Sequence, residues 1–195
     1  MTDESTSQPR RLVWPVIASL LVVLVMGLLL RAEGRLIICA CNRILLWVGD
    51  TCSSYNSQQL FDPYSFTHIL HGFLFFWLIA LFGRRIAPAW QVWIAISLEA
   101  AWEVLENTSF VIDRYRTETA ALGYQGDTIL NSFGDLLCAL VGFLVARRLG
   151  WRRSVIVFLV IEAVLIVWIH DSLLLEILML IHPIEAIKVW QMCSS

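Results

Sequence analysis

LVWPVIASLLVVLVMGLLL, residues 12–30, decides the fold: no charged side chain interrupts it, Arg10 and Arg11 precede it, and Arg31 follows it. A helix needs about 20 mostly apolar residues to cross roughly 30 Å of hydrocarbon, and this run reaches that length. No Ala-x-Ala-like cleavage site accompanies it, so the segment reads as a retained anchor and not as a removed signal peptide. Working outward, comparable windows recur at residues 66–82, 86–105, 128–146 and 154–170. A sixth, 173–190, holds Glu176, His182, Pro183, Glu185 and Lys188, and reads either as a final crossing or as an amphipathic helix lying in the interface. The expected fold is all-α, a polytopic transmembrane helix bundle of five to six spans. It forms one domain over residues 12–190, between a cytoplasmic tail at 1–11 and a C-terminal tail at 191–195.

Composition agrees with that reading. Of 195 residues, 58% are apolar, and the mean hydropathy of +0.73 exceeds that of a water-soluble domain. A net charge of −2 offers nothing to nucleic acid, so the partner implied is the lipid bilayer. The arginines report orientation instead. Arg84, Arg85, Arg147, Arg148, Arg152 and Arg153 fall on the same side as Arg10 and Arg11 when spans alternate, and short basic loops stay in the cytoplasm. The N-terminus is then cytoplasmic, and residues 34–65 and 107–127 form the outer loops. In the first of these, LIICACNRILLWV (36–48) has the pattern of a short surface amphipathic helix, and Asp62-Pro63 reads as the N-cap and first position of the next helix.

Small and sulfur-bearing residues add two expectations. The five cysteines (Cys39, Cys41, Cys52, Cys138, Cys193) lack zinc-site spacing, and a single bridge from Cys52 to Cys39 or Cys41 is open. Gly134, Cys138, Gly142 and Ala146 make a small-residue stripe that reads as close helix packing, with a dimer interface as the alternative.

Ionisable residues inside spans cost about 2.5–3.5 kcal/mol each on insertion scales, so each calls for a reason. His68 and His71 sit at i, i+3 near the outer end of the second window. Glu99, Glu103 and Glu106 share one stripe at i, i+4, i+7 of the third, with Asn107 beyond them. Asp127, Asn131 and Asp135 repeat a four-residue spacing at the start of the fourth, and His170 and Asp171 close the fifth. Glu162 lies midway along the fifth with no partner assignable from sequence. Alternation brings all four clusters to the outer side, where they form one polar chamber reaching about 8–10 Å below the boundary at about 1.5 Å per residue.

Carboxylates on one buried stripe need a cation, a proton or an arginine among them. Glu99, Glu103, Glu106 and Asp135 are therefore the candidate catalytic groups, and His68 and His71 the candidate ligands of a divalent metal able to activate water. Arg114 and Arg116, with Asn131 and Asp127, are candidates for holding the substrate, the arginines by binding an anionic group at the chamber mouth. The plainer readings are interfacial histidines that cap or hydrogen-bond near the helix start for His68 and His71, a buried network linking helices for the three glutamates, and a helix cap for Asp127.

The strings WVGDTCSSYNSQQLFDPYSFTHILHG, EAAWEVLENTSFVIDRYR, GYQGDTILNSFGD and MLIHPIEAIKVWQ resemble an uncharacterised family of alphaproteobacterial inner-membrane proteins with a domain of unknown function. The likeness covers nearly the whole chain beyond the N-terminal tail and implies a multi-pass protein of the bacterial inner membrane. It brings no activity, substrate or catalytic residue with it. Gln59 and His170-Asp171-Ser172 depart from the family pattern, which weakens them as candidates for chemistry. The order His, Glu-x-x-Glu, Arg, Asp, Asn, Gly is also similar to that of VanZ-like membrane proteins. The function expected is a hydrolase or transferase acting on a lipid or envelope precursor. The alternatives are a non-catalytic assembly factor, whose polar stripes only join helices, and a small proton-coupled carrier.

Overall fold

The computed structural model describes residues 7–83, 85–121 and 123–192, with side chains from residue 12 onward. Arg84, Cys193 and the side chains of Arg10 and Arg11 lie outside that description. Among the described residues the fold is all-helical: α1 (Ser7–Ala32), α2 (Ser65–Phe82), α3 (Pro88–Glu106), α4 (Ser109–Glu118), α5 (Ile129–Ile169), α6 (Leu173–Ile181) and α7 (Glu185–Gln191).

By length and apolar content α1 and α2 qualify as membrane spans, and α5 with α6 form a third candidate bent by 74° at its break. That is fewer than the five to six windows of the hydropathy reading, and the reasons are local. Window 86–105 is helical as α3, but Glu99, Glu103 and Glu106 interrupt its apolar run. Windows 128–146 and 154–170 both fall in α5, whose backbone breaks at Gly150 (φ 74°, ψ 172°), a conformation that glycine adopts at little cost. Window 173–190 is split by residues 182–184 into α6 and α7 of nine and seven residues, each too short to cross alone.

Packing against α2 shows what the break in α5 does. Ser65 meets Asp135 and Phe76 meets Phe143, so the first half of α5 ascends with α2. Phe66 lies against Trp168, however, and Trp77 against Trp151 and Phe158, so the second half descends along it. Residues 129–149 and 151–169 thus form a hairpin that turns at Gly150 with Arg147, Arg148, Arg152 and Arg153 beside the turn. Glu162 is buried near the start of α6 and accepts a hydrogen bond from Leu174 N at 3.4 Å, which supplies the partner that sequence left open.

The small-residue stripe packs α5 against α2 and against the loop that precedes α2. A Cβ on Gly72 would come within 2.1 Å of Ala139 O, one on Gly142 within 2.0 Å of Ile69 O, and one on Gly134 within 2.0 Å of Leu60 O. α1 packs through Met26 and Leu30 against Ile96 and Ala100 of α3 and Ile129 and Leu136 of α5. Its other face exposes Leu20, Leu24 and Leu28, a surface suited to lipid and not to water.

The outer loop differs from its reading. Residues 36–48 form turns, not an amphipathic helix, because their backbone groups are used elsewhere. Val48 N bonds Phe61 O, Leu45 N bonds the Gln59 side chain, and Leu36 O and Ile37 O accept from Ile129 N and Leu130 N at the start of α5. Cys39 lies bonded to Cys41, and Cys52 is disulfide-bonded as well. α2 begins at Ser65, two residues after Pro63, and Asp62 accepts instead from Ser57 N and Tyr64 N in the preceding turn. α4 lies inside the expected 107–127 loop. Its signal was the Thr108 N-cap, whose hydroxyl accepts from Val111 N.

Candidate functional site

Glu99 is the centre of the polar cluster. Rising from α3, it is fully buried and meets two imidazoles of α2: His68 Nδ1 at 2.6 Å from Oε1 and His71 Nδ1 at 3.0 Å from Oε2. The i, i+3 spacing of the histidines puts both rings on the face of α2 that looks at α3, and the rings stand edge to face with centroids 5.0 Å apart. One helical turn along the α3 stripe, Glu103 Oε1 lies 3.3 Å from His68 Nδ1. From α5, Asp135 Oδ2 approaches His68 Nε2 at 3.9 Å and its other oxygen accepts from Ser65 Oγ at 3.0 Å. Three helices that are distant in sequence therefore deliver five of the sequence-predicted residues to one point.

The cluster forms part of the wall of a cavity of about 890 Å³. Glu106, Asp127, Asn131 and Asp135 line it with both histidines, while Glu99 and Glu103 sit behind the wall. Asp62, Asp171 and Glu176 also line it, and Tyr64, Tyr115 and Tyr124 add phenols. Sequence reasoning missed the tyrosines and Glu176 as site residues and saw Asp62 only as a cap. Their signal was weak, since single residues in loops and short helices carry no periodicity. Among the described residues no lysine or arginine lines the cavity.

Asp127 marks the loop side. It accepts from Asn107 Nδ2 at 2.9 Å and from Tyr124 OH at 3.0 Å, and its backbone N donates to Asn107 Oδ1 at 2.7 Å. Burial raises its carboxyl to about 6, although the Asn107 and Tyr124 hydrogen bonds work in the opposite direction. Burial raises the Tyr124 phenol as well, with the nearby Asp127 charge adding to the effect. The folded protein then holds the Asp127 proton over a pH range, from 3.8 to about 6, in which the unfolded chain has released it. This contribution to stability is complete below that range and is lost as pH rises through about 6. Melting temperature in detergent should fall over that interval, and Asp127→Asn should flatten the fall. An unchanged slope in the variant would refute the assignment.

Asn131 is held in the wall by donating from Nδ2 to Gln59 O at 2.9 Å. Gln59 itself is fully buried and braces Leu45 N, a structural task. Asp171 faces the cavity, where Gln191 Nε2 donates to it at 2.8 Å, whereas His170 packs on Trp190. Arg114 and Arg116 are not brought to the cavity. Arg114 Nε donates to Leu180 O and its head group lies 3.7 Å from Glu118, while Arg116 Nε donates to Tyr124 O and its head group lies 3.7 Å from Asp113.

Two groupings in the cluster have metal-ligand spacing: His68, His71 and Glu99, and His68, Glu103 and Glu106, each with one ligand atom per residue inside a 4.8 Å limit. The donor sets, imidazole nitrogen with carboxylate oxygen, suit zinc, manganese or iron.

No solved structure matches this chain. It is similar to UPF0314 proteins from Rhizobium johnstonii (48% identical over 81% of each chain), Sphingopyxis alaskensis (44% identical over 91% of this chain and 94% of the relative) and Rhizobium meliloti (42% identical over 97% and 95%). Residues 30–193 match the model of the family described as protein of unknown function DUF2585. That match takes in the whole polar cluster and leaves out residues 1–29, with most of α1, and the last two residues, so the chain belongs to this family of alphaproteobacterial proteins.

Proposed function

We propose that this protein is a multi-pass inner-membrane hydrolase or transferase acting on a lipid or envelope precursor in an outward-facing chamber. The observation that carries this reading is the His68–His71–Glu99 core on the wall of a cavity of about 890 Å³, with further buried carboxyls around it. A merely structural network would fill its own space; this one borders a volume of the size that holds a ligand.

In this reading α1, α2, α3 and the two halves of α5 are five crossings. The arginines at the Gly150 turn lie on the cytoplasmic side together with the N-terminus. Glu99 fixes both imidazoles. Asp135, on the wall opposite His68 Nε2, takes the proton from a water or hydroxyl nucleophile as that oxygen bonds to the acyl or phosphoryl centre. The bond to the leaving group breaks as Asp135 passes that proton to it. Asn131 and Asp127 position the substrate's polar part, and the exposed apolar helix faces leave its chains in the bilayer.

The test compares lipid and envelope-precursor extracts from cells lacking the gene and from the same cells expressing wild type or Asp135→Asn. A species should accumulate in the deletion strain, disappear with wild type, and persist with Asp135→Asn at normal protein abundance. Identical extracts from all strains, or full rescue by Asp135→Asn, would overturn the enzyme reading and leave the polar stripes as helix joints.

A further inference from the structure

Each carboxylate of the cluster has a different supply of donors, and the differences single out one place. Glu99 is shared by two imidazoles, Asp127 has Asn107 and Tyr124, and Asp135 has Ser65. Glu103 is fully buried, and neither of its oxygens receives a hydrogen bond; Glu106 Oε2 is also buried without one, while Tyr115 bonds the Glu106 carboxyl. A buried anionic oxygen without a donor costs several kcal/mol, so native proteins pair it or place it on a cation. Arg114 and Arg116 do not serve this purpose, because their guanidinium groups turn to Leu180 O, Tyr124 O, Glu118 and Asp113.

We propose that His68, Glu103 and Glu106 hold one divalent transition-metal ion of the zinc or manganese type, His68 Nδ1 giving up Glu99 for the ion while Glu99 stays with His71 as a partner outside the ligand set. His68 Nδ1 and Glu103 Oε1 lie 3.3 Å apart, the separation of two ligands about 2.1 Å from a common ion. Glu106 places one oxygen from the same cavity wall within the 4.8 Å grouping. His68 Nε2 then faces Asp135, a carboxylate beyond the ligand sphere that orients a metal-bound ring. Three protein ligands leave a coordination position open to the cavity. With no lysine or arginine on the wall among the described residues, such an ion also supplies the positive charge that an anionic lipid headgroup would need.

This deepens the enzyme reading and shares its chamber, but binding is measured without substrate, so either can fail alone. The full chain, purified in detergent and stripped with chelator, is titrated calorimetrically with Zn²⁺ and with Mn²⁺, followed by elemental analysis after desalting. One ion per wild-type chain is expected, with affinity reduced at least 100-fold in Glu103→Gln and in Glu106→Gln and within threefold of wild type in Asp171→Asn. Ion-free Glu103→Gln should melt no lower than ion-free wild type, because the amide replaces a buried carboxyl whose oxygens receive no hydrogen bond. If Glu103→Gln does not accumulate, Glu106→Gln decides alone. Failure of wild type to bind either ion, or undiminished binding in Glu106→Gln, overturns the site.

Discussion

Glu99→Ala should be the most damaging single change in the polar cluster, with a cost of about 3–5 kcal/mol for breaking a buried hydrogen-bonded pair from one side. Its carboxylate is fully buried and serves His68 at 2.6 Å and His71 at 3.0 Å, so its loss strands two imidazoles at once. The rings themselves are packed, His71 against Trp102 with centroids 5.5 Å apart and against Phe75 at 6.0 Å. Melting temperature in detergent should drop sharply. The triple variant Glu99→Leu, His68→Leu, His71→Phe should recover most of that loss, since an apolar filling leaves no stranded polar group. Recovery of stability without recovery of the lipid phenotype would separate chemistry from helix joining. A single variant as stable as wild type would show that the histidines do not depend on Glu99.

Gly142→Ala adds one methyl group and should still cost about 3 kcal/mol, at the upper end of overpacking penalties. The new Cβ would lie 2.0 Å from Ile69 O and 2.8 Å from Ile69 C, backbone atoms of α2 that no rotamer change can move. Relief requires α2 to shift away from the first half of α5, which also carries His68 away from Asp135. Stability and cluster geometry should therefore fail together, in contrast to Gly123→Ala, where a Cβ meets nothing within 4 Å and no loss is expected. Equal melting temperatures for the two alanine variants would remove close packing as the reason for these glycines.

Both expectations rest on features that differ in how legible they were. The Glu99, Glu103, Glu106 stripe and the His68–His71 pair were readable because helical periodicity turns spacing into direction, and charge inside an apolar run stands out against its cost. Convergence at one end of the bundle followed from alternation alone. The Gly72 contact with Ala139 and Phe143 was not readable, since a close approach belongs to two helices and sequence describes one. The fate of residues 36–48 was hidden for a similar reason. Their apolar pattern fits a helix, yet backbone bonds to Phe61 and to the start of α5, together with the Cys39–Cys41 bridge, hold the segment in turns.

What the sequence by itself determined is the all-helical class, the apolar anchor, the small-residue packing face and the identity of the polar residues drawn to one side. Those are properties of local composition and of the 3.6-residue period. What only the tertiary structure decided is which carboxylate each histidine meets, that Arg114 and Arg116 turn away from the cavity, and that Glu103 is left without a donor while Glu99 has two. Such pairings depend on the rotation of each helix about its axis and on the path of the loops between them. Both are set by packing across elements far apart in the chain, where no periodicity within one helix reaches.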